Sequence, residues 1–441
     1  MKPYLLAILL ALPVSVAAQD TEKKNQFDFS LDFYTHGEIC AGGLPRSDGD
    51  IPVDDNSAFI LGRTRVIMDY SRSGLQAHAV IQNKAVWGTK GNQAINLYEG
   101  WLKMSTHNGL FAQLGRIALS YDDERIIGAN DFATAALSHD VLRLGYEGHG
   151  HQVHAILGYN QNAENVYTST YYDEGSQFYK TMQTVWYHYD ATKIPLGVSL
   201  LFMNLGLQSG VEGDKANPPS TQYQQMWGGY LNYHPKYLTL EASFYGQSGQ
   251  QVTPEKMHGP IRAWMASGKA TIQPADNYGF TVGYDHLSGD DYVPVAYGGT
   301  GTEVIYHGVQ RGFSPMFGSR SKFYGILDFF YESAYSQGFT PGLQNAYVGV
   351  FGNPIRKLDG KLTYHYLATA SKIQDLQREL GHSFELEATY RFTKDIKLTV
   401  GYTFMTGTET MRRLKHDNSS KDAHWGWFSL SITPTLFTTK W

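Results

Sequence analysis

The chain has 441 residues, with 36 lysines and arginines against 41 aspartates and glutamates and a formal net charge of -5. This balance argues against nucleic acid as a partner, and the single cysteine, Cys40, excludes an internal disulfide. Aromatic residues make up 14% of the sequence, yet no apolar run after the N-terminus is long enough for a membrane-spanning helix. Outer-membrane barrels have this composition, because only alternate residues of their strands face lipid.

The N-terminus has the layout of a secretory signal peptide. Lys2 is a basic start, residues 5–12 form an apolar run, and residues 16–18 are a small-residue cleavage site. A membrane anchor is the alternative, but the run is too short to span a bilayer and Pro13 interrupts it. We expect cleavage of residues 1–18, which leaves 19–441 as a single barrel domain in the outer membrane of a Gram-negative bacterium.

From Phe27 onward the sequence alternates between apolar and polar side chains, which is the period of a strand with two different faces. The first segment, 27–38, is followed by a Gly/Pro/Asp-rich loop and then by two strands joined at 72–74. An Asn-Gly pair at 108–109 indicates another hairpin. The clearest hairpin is 383–404, in which aromatic and β-branched residues alternate with charged or polar ones.

The pattern predicts an all-β fold, a transmembrane antiparallel β-barrel of about eighteen strands with long extracellular loops. Nineteen segments qualify, including one around Ile326, but single-chain bacterial barrels have even numbers, so sixteen and twenty are also open. Short turns alternate with long polar loops except in 289–352, where the alternation slips. A propeller would show a repeat of about 40–50 residues, and a sandwich this long would divide into domains.

If the apolar face meets lipid, the charged face lines a water-filled pore. The alternative is that these charges only solvate and brace the wall through cross-strand pairs. The predicted pore-lining residues are Arg63, Arg65, Glu99, Lys103, Arg143, Glu147, Asp328, Glu385 and Glu387.

The segment 114–140 is the most informative loop of the sequence. A charged stretch, including Asp122 and Asp123, leads into the apolar Ile126 and Ile127, with Phe132 shortly after. Loops of this length are usually functional or disordered, and these apolar side chains would be poorly placed in solvent. We therefore expect this loop to fold into the lumen and narrow the bore; an ordinary surface loop is the alternative.

This segment also resembles a known signature. Leu114-Gly115-Arg116, Tyr121-Asp122-Asp123, Arg125-Ile126-Ile127-Gly128, Asp131-Phe132 and His139-Asp140 are similar to the alginate-export family of outer-membrane porins, in the branch common in gut-type Gram-negative anaerobes. Stretches in 313–329 and 380–402 agree. The sequence departs from the family at Phe132, where a tryptophan is usual, and at Ser321, where a histidine is usual.

The resemblance implies an eighteen-stranded barrel with an arginine-rich, partly occluded pore. Carried onto this sequence, it adds Arg116, Arg125 and Asp131 to the constriction, beside Asp122 and Asp123 of the charged stretch. The charges on the polar face are of both signs, which favours a general porin for ions, small hydrophilic solutes or oligosaccharides. A dedicated polysaccharide (alginate-like) channel is the alternative.

Other function classes find little support. The sequence has no G-x-S-x-G elbow, no H-E-x-x-H and no Cys/His metal spacing. The histidines at 149, 151 and 154 lie at or beside a tight turn and suit solvent better than a metal. We predict no enzyme activity, no cofactor and no metal, and an adhesin remains a third class.

The expected partners are outer-membrane lipid, the transported solute and the barrel-assembly machinery, which recognises a terminal aromatic residue such as Trp441. We expect the chain to be a monomer or a homotrimer.

Overall fold

A computed structural model describes most of the mature chain. Asp328 and Ser321 lie outside the described residues, as does the predicted signal peptide 1–18. The described residues are 25–41, 56–90, 94–132, 136–162, 167, 170–171, 177–252, 258–294, 302–304, 308–319, 322–326, 341–411 and 422–441.

One antiparallel sheet forms the wall, and each strand pairs with the next along the chain. Its strands are β1 (Gln26–Ala41), β2 (Asn56–Arg72), β3 (Leu75–Val86), β4 (Ala94–Ser105), β5 (Leu110–Ile117), β6 (His139–Gly148), β7 (His151–Tyr159), β8 (Thr181–Asp190), β9 (Leu196–Ser209), β10 (Ser220–Tyr233), β11 (Leu238–Val252), β12 (His258–Ala275), β13 (Tyr278–Leu287), β16 (Leu343–Ile355), β17 (Leu358–Ala368), β18 (Glu379–Arg391), β19 (Ile396–Gly407), β20 (Asp422–Ile432) and β21 (Thr435–Lys440). The separate β14 (Tyr292–Pro294) and β15 (Thr302–Val304) pair only with each other.

The wall is closed, because β1 pairs with β2 on one side and with both β20 and β21 on the other. Pro434, which has no N–H to donate, interrupts the last strand between β20 and β21. Counting these two pieces as one strand, the described wall has eighteen strands, which confirms the predicted barrel. Among the described residues, no helix is both long enough and apolar enough to cross a membrane.

The prediction of a wall strand around Ile326 is wrong. β13 pairs directly with β16 over ten residue pairs, from Tyr278 opposite Gly352 to Leu287 opposite Leu343. The segment between them is therefore one long connection on a single rim. Its described residues 313–319 and 322–326 pack inside the barrel instead of extending the sheet, which explains why the alternation of turns and loops slips there.

The alternation along each strand sorts apolar and polar side chains onto opposite faces, as the sequence predicts. In the β18–β19 hairpin, Leu386 lies opposite Tyr402 with both exposed, whereas Glu385 lies opposite Thr403 with its side chain turned inward. A continuous apolar outer face is what a barrel needs in contact with lipid.

The two rims differ in length. Turns such as 73–74, 149–150 and 276–277 close one rim, the turn rim, where Asn25 also exchanges backbone hydrogen bonds with Trp441. Long connections close the opposite rim, the loop rim. In outer-membrane barrels the short turns face the periplasm and the long loops face outward.

Gly115 sits where β5 leaves the wall for the loop. Its φ is +133°, and a Cβ at this position would lie 2.1 Å from the carbonyl oxygen of Gly100. We expect Gly115→Val to destabilise the barrel by about 2 kcal/mol, because it combines backbone strain with a clash against backbone. Urea unfolding in lipid vesicles measures this. Gly268→Val is the control, since nothing lies within 4 Å of its Cβ position; equal effects at both sites would contradict the argument.

Candidate pore constriction

The connection from β5 to β6 runs inside the barrel. We call residues 118–138 the inner loop. Leu119, Ile126 and Ile127 are almost completely buried and belong to one apolar cluster with inward side chains of the wall. The hydroxyl of Tyr121 lies 2.9 Å from Nδ1 of His154 on β7. The apolar side chains of this loop thus pack against the inner wall, as the sequence predicts.

Part of a second connection, residues 313–319 and 322–326, lies against the inner loop; we call these residues the second inner segment. Phe317 forms a parallel bridge with Ile127, and its N–H donates to the carbonyl of Ile126 at 3.1 Å. The N–H of Gly128 donates back to the carbonyl of Phe317 at 2.8 Å. Sequence reasoning missed this role. The signal was present, because Phe313 and Phe317 are apolar loop residues of the same kind as Ile126.

Arg125 joins the inner loop to the second inner segment and to β13. Its guanidinium is 5% exposed and lies 3.1 Å from a carboxylate oxygen of Asp285 on β13 and 3.2 Å from Asp123. It also donates to the hydroxyl of Tyr324 and stacks on the ring of Phe323. Burial opposes the charged form, but the two carboxylates outweigh it and hold the pKa of Arg125 well above its ordinary value. Arg125 and Asp123 thus form a buried clamp.

Asp122 anchors the same loop to another part of the wall. Its carboxylate accepts hydrogen bonds from the indole N–H of Trp186 and from the hydroxyl of Ser199. Burial raises the pKa of Asp122 against the effect of these bonds. The residue therefore ties the inner loop to β8 and β9.

Asp131 meets two arginines of β2, and we call Arg63 and Arg65 the arginine pair. Nη1 of Arg65 lies 2.7 Å from a carboxylate oxygen of Asp131, and Nη1 of Arg63 lies 3.2 Å from the same oxygen. Asp32 of β1 contacts both guanidiniums from the other side, at 3.2 and 3.5 Å. The side chain of Asp131 is 56% exposed, whereas the arginines are buried beneath it. Of the four charged side chains in this assembly, that of Asp131 is the most exposed.

Aromatic rings complete this assembly. The guanidinium of Arg63 lies 4.9 Å from the ring centroid of Tyr34, and that of Arg65 lies 4.1 Å from Tyr98. Cations over aromatic faces gain electrostatic stabilisation, and stacked planes restrict the rotation of the guanidinium groups. The arginine pair is thus held in place whether or not Asp131 covers it.

The remaining described charges predicted to line the pore face inward and are mostly paired across strands. Lys103 lies 3.7 Å from Glu147 and over the ring of Phe111, while Arg143 donates to Gln113. Residues with inward contacts or inward strand positions also include Glu99, near His78 and Ala118; Glu385, near His365 and Ile326; and Glu387, opposite Lys361. These contacts brace the wall.

Arg116 does not join the residues of the inner loop. On β5 it alternates with inward Gly115 and Ile117 and shares the outer face with Leu114, which is 63% exposed. Its guanidinium makes a bidentate pair with Asp140, at 2.8 and 2.7 Å, on the outer side of the barrel near the loop rim. The placement of Arg116 at the constriction is therefore corrected, because strand periodicity turns the side chain away from the bore.

The histidines near the 149–150 turn are also separated. His151 packs outward against Tyr187 and Tyr189, while His154 points inward to Glu147. Within the part of the chain that the structure describes, no group of three metal-ligating side chains comes together.

Glu124 links the two inner segments. Its carboxylate accepts from Ser120, Ser319 and Lys322 at 2.6–2.7 Å. Burial opposes its charge, but these bonds prevail and lower the pKa of Glu124 below the ordinary 4.5. A carboxylate with a lowered pKa stabilises the folded state at any pH above its ordinary pKa. This contribution is lost as the pH falls through the lowered pKa.

We therefore expect acidification to loosen the contact between the inner loop and the second inner segment. In the wild type, the amides of residues 118–128 should be less protected from hydrogen exchange at about pH 3 than at about pH 6. In Glu124→Gln this protection should already be missing at about pH 6. Other carboxylates titrate in the same range, so the difference between the wild type and Glu124→Gln is the quantity that counts. Identical pH profiles for both proteins would remove Glu124 from this role.

Comparison with known proteins identifies solved structures with a similar fold. No protein-family model matches the sequence, and no curated protein matches it. Among solved structures, Pseudomonas aeruginosa OccK9 (OpdG) is 12% identical with a TM-score of 0.61, covering 93% of this chain and 98% of its own. OccK2 (OpdF) of the same organism, solved in complex with glucuronate, is 10% identical with a TM-score of 0.60 over 93% and 98% of the two chains.

The fold is therefore that of outer-membrane porins of Gram-negative bacteria. OccK5 (OpdH) of Pseudomonas aeruginosa agrees, with a TM-score of 0.58 at 11% identity over 93% of this chain and 99% of its own. Identities this low show common architecture alone. The resemblance to the alginate-export family is not confirmed by these comparisons.

Proposed function

We propose that the protein is an outer-membrane porin through which small hydrophilic solutes, ions or oligosaccharides diffuse passively. The observation that carries this proposal is the position of Asp131, which lies half exposed over the arginine pair on a loop folded into an eighteen-stranded barrel. An inward loop with a charged tip narrows a bore and sets its preference among solutes. The glucuronate bound by OccK2 supports an acidic sugar as one solute to test.

The proposed setting is the outer membrane, with the turn rim toward the periplasm. Insertion by the barrel-assembly machinery is part of this proposal. Cleavage after residue 18 stays a prediction of the sequence, as does a monomeric or homotrimeric state.

Reconstitution in a planar bilayer tests the function. The full mature protein should give stepwise conductance, and glucuronate added on the loop side should reduce the current of an open channel. Absence of steps, while a known porin conducts in the same bilayers, would reject the proposal. Conductance without any effect of glucuronate would retain the porin and remove acidic sugars from its solutes.

A further inference from the structure

An aromatic row crosses the outer face on the β10–β13 side. Trp227, Phe244, Trp264 and His286 lie on four consecutive strands, with successive ring centroids 6.1, 6.3 and 4.7 Å apart. Trp227, Phe244 and Trp264 are each more than 40% exposed. Aromatic girdles mark the boundary between hydrocarbon and head groups in membrane barrels. This row therefore indicates the depth of the outer interface.

A polar row lies on the same outer face, two residues nearer the loop rim than Trp227 and Trp264. Gln183, Asn204, Gln225 and Ser248 stand directly opposite one another on β8 to β11. Their side chains form a chain of hydrogen bonds of 2.7, 2.9 and 3.4 Å. Amides are costly in hydrocarbon, so the row indicates that the outer face meets head groups at this height. Arg262 of β12 continues the row opposite Ser248.

At the height of the polar row the outer face becomes basic on the β12 side. Gln310 pairs in parallel with Ile261, and both are buried, so alternation turns the next residues, Arg311 and Arg262, to the outer side. The segment after β17 also starts over the outer face: Gln344 accepts from the hydroxyl of Tyr284 and donates to the carbonyl of Thr369. Lys372 follows three residues later.

These loops enclose a cleft of about 600 Å³. Three exposed cations line it, Arg311, Lys372 and Arg378, together with Ser371. Among the described residues of its lining, Asp291 is the one acidic residue, and it accepts a hydrogen bond from the backbone N–H of Lys372. The cleft is therefore cationic, and at Arg311 it lies level with the polar row.

We propose that this cleft binds the phosphate groups of a phosphorylated glycolipid in the outer leaflet. Arginine matches phosphate oxygens with two parallel hydrogen bonds, and lysine adds a mobile charge. Basic residues at a membrane surface attract anionic lipids. The aromatic and polar rows support a lipid occupant over a soluble one, since they place the cleft beside the lipid and away from the arginine pair in the bore.

The test uses the full mature protein in zwitterionic detergent, titrated with diphosphorylated lipid A. The triple variant Arg311→Gln, Lys372→Gln and Arg378→Gln should bind at least about tenfold more weakly than the wild type. The control variant changes three exposed cations at the turn rim, Lys193→Gln, Lys236→Gln and Lys394→Gln, and should bind like the wild type.

Further arms identify the source of the phosphate and separate this site from the pore. Dephosphorylated lipid A should bind about as weakly to the wild type as diphosphorylated lipid A binds to the triple variant, and glucosamine phosphate should not compete at equal concentration. Equal binding by the wild type and the triple variant would overturn the proposal, and so would full competition by the soluble sugar phosphate. Single-channel conductance of the triple variant should equal that of the wild type, so failure of the lipid site leaves the porin proposal untouched.

Discussion

Arg125→Met should destabilise the folded barrel by about 3–5 kcal/mol, because removal of one partner leaves buried charge without compensation. Methionine preserves much of the side-chain volume, so the loss comes mainly from charge. Asp285 is buried in the wall and Asp123 is nearly so, and both would lose the guanidinium that faces them. The contact with Tyr324 of the second inner segment would go as well.

Urea unfolding in lipid vesicles, followed by tryptophan fluorescence, gives the free energy of unfolding. Lys322→Met is the matched control, because the ion pair between Lys322 and Glu124 is exposed and should contribute less than about 1 kcal/mol. The double variant Arg125→Met with Asp285→Asn should recover part of the loss, since it removes the stranded carboxylate. An Arg125→Met protein as stable as the wild type would show that the clamp does not hold the inner loop.

Asp131→Asn should shift ion selectivity toward anions. The substitution is isosteric and uncovers the positive charge of the arginine pair at the point where the loop meets pore water. A unit charge about 7 Å from a permeating ion in water changes its energy by about 0.6 kcal/mol, which corresponds to about a threefold change in the permeability ratio. Reversal potentials across a salt gradient measure this ratio directly.

Asp140→Asn is the control for selectivity. Asp140 is also a carboxylate paired with an arginine, but the pair with Arg116 lies on the outer face. The reversal potential of this variant should equal that of the wild type. Arg63→Gln combined with Arg65→Gln should move the selectivity in the opposite direction from Asp131→Asn. Equal shifts for Asp131→Asn and Asp140→Asn would contradict the proposed pore.

The alternation of side chains along the strands predicts the face of most residues, and it contradicts one prediction made from the family resemblance. Arg116 lies two residues after Leu114, so strand alternation alone places it with the lipid-facing leucine. The family resemblance drew it to the constriction instead. Ile126 and Ile127 pack against the inner wall as predicted, because apolar side chains in a long loop need a surface to pack against.

The sequence by itself determined the class of fold and the face of most strand residues, because alternation is local and a slip of one residue would move every charge into lipid. Only the tertiary structure decided which distant groups meet. Asp131 and Arg65 are 66 residues apart, and Arg125 and Asp285 are further apart still. These contacts exist because closure of the ring brings the strands around a common lumen, and the two inner segments then settle against whichever wall side chains the ring presents. No local pattern encodes that choice.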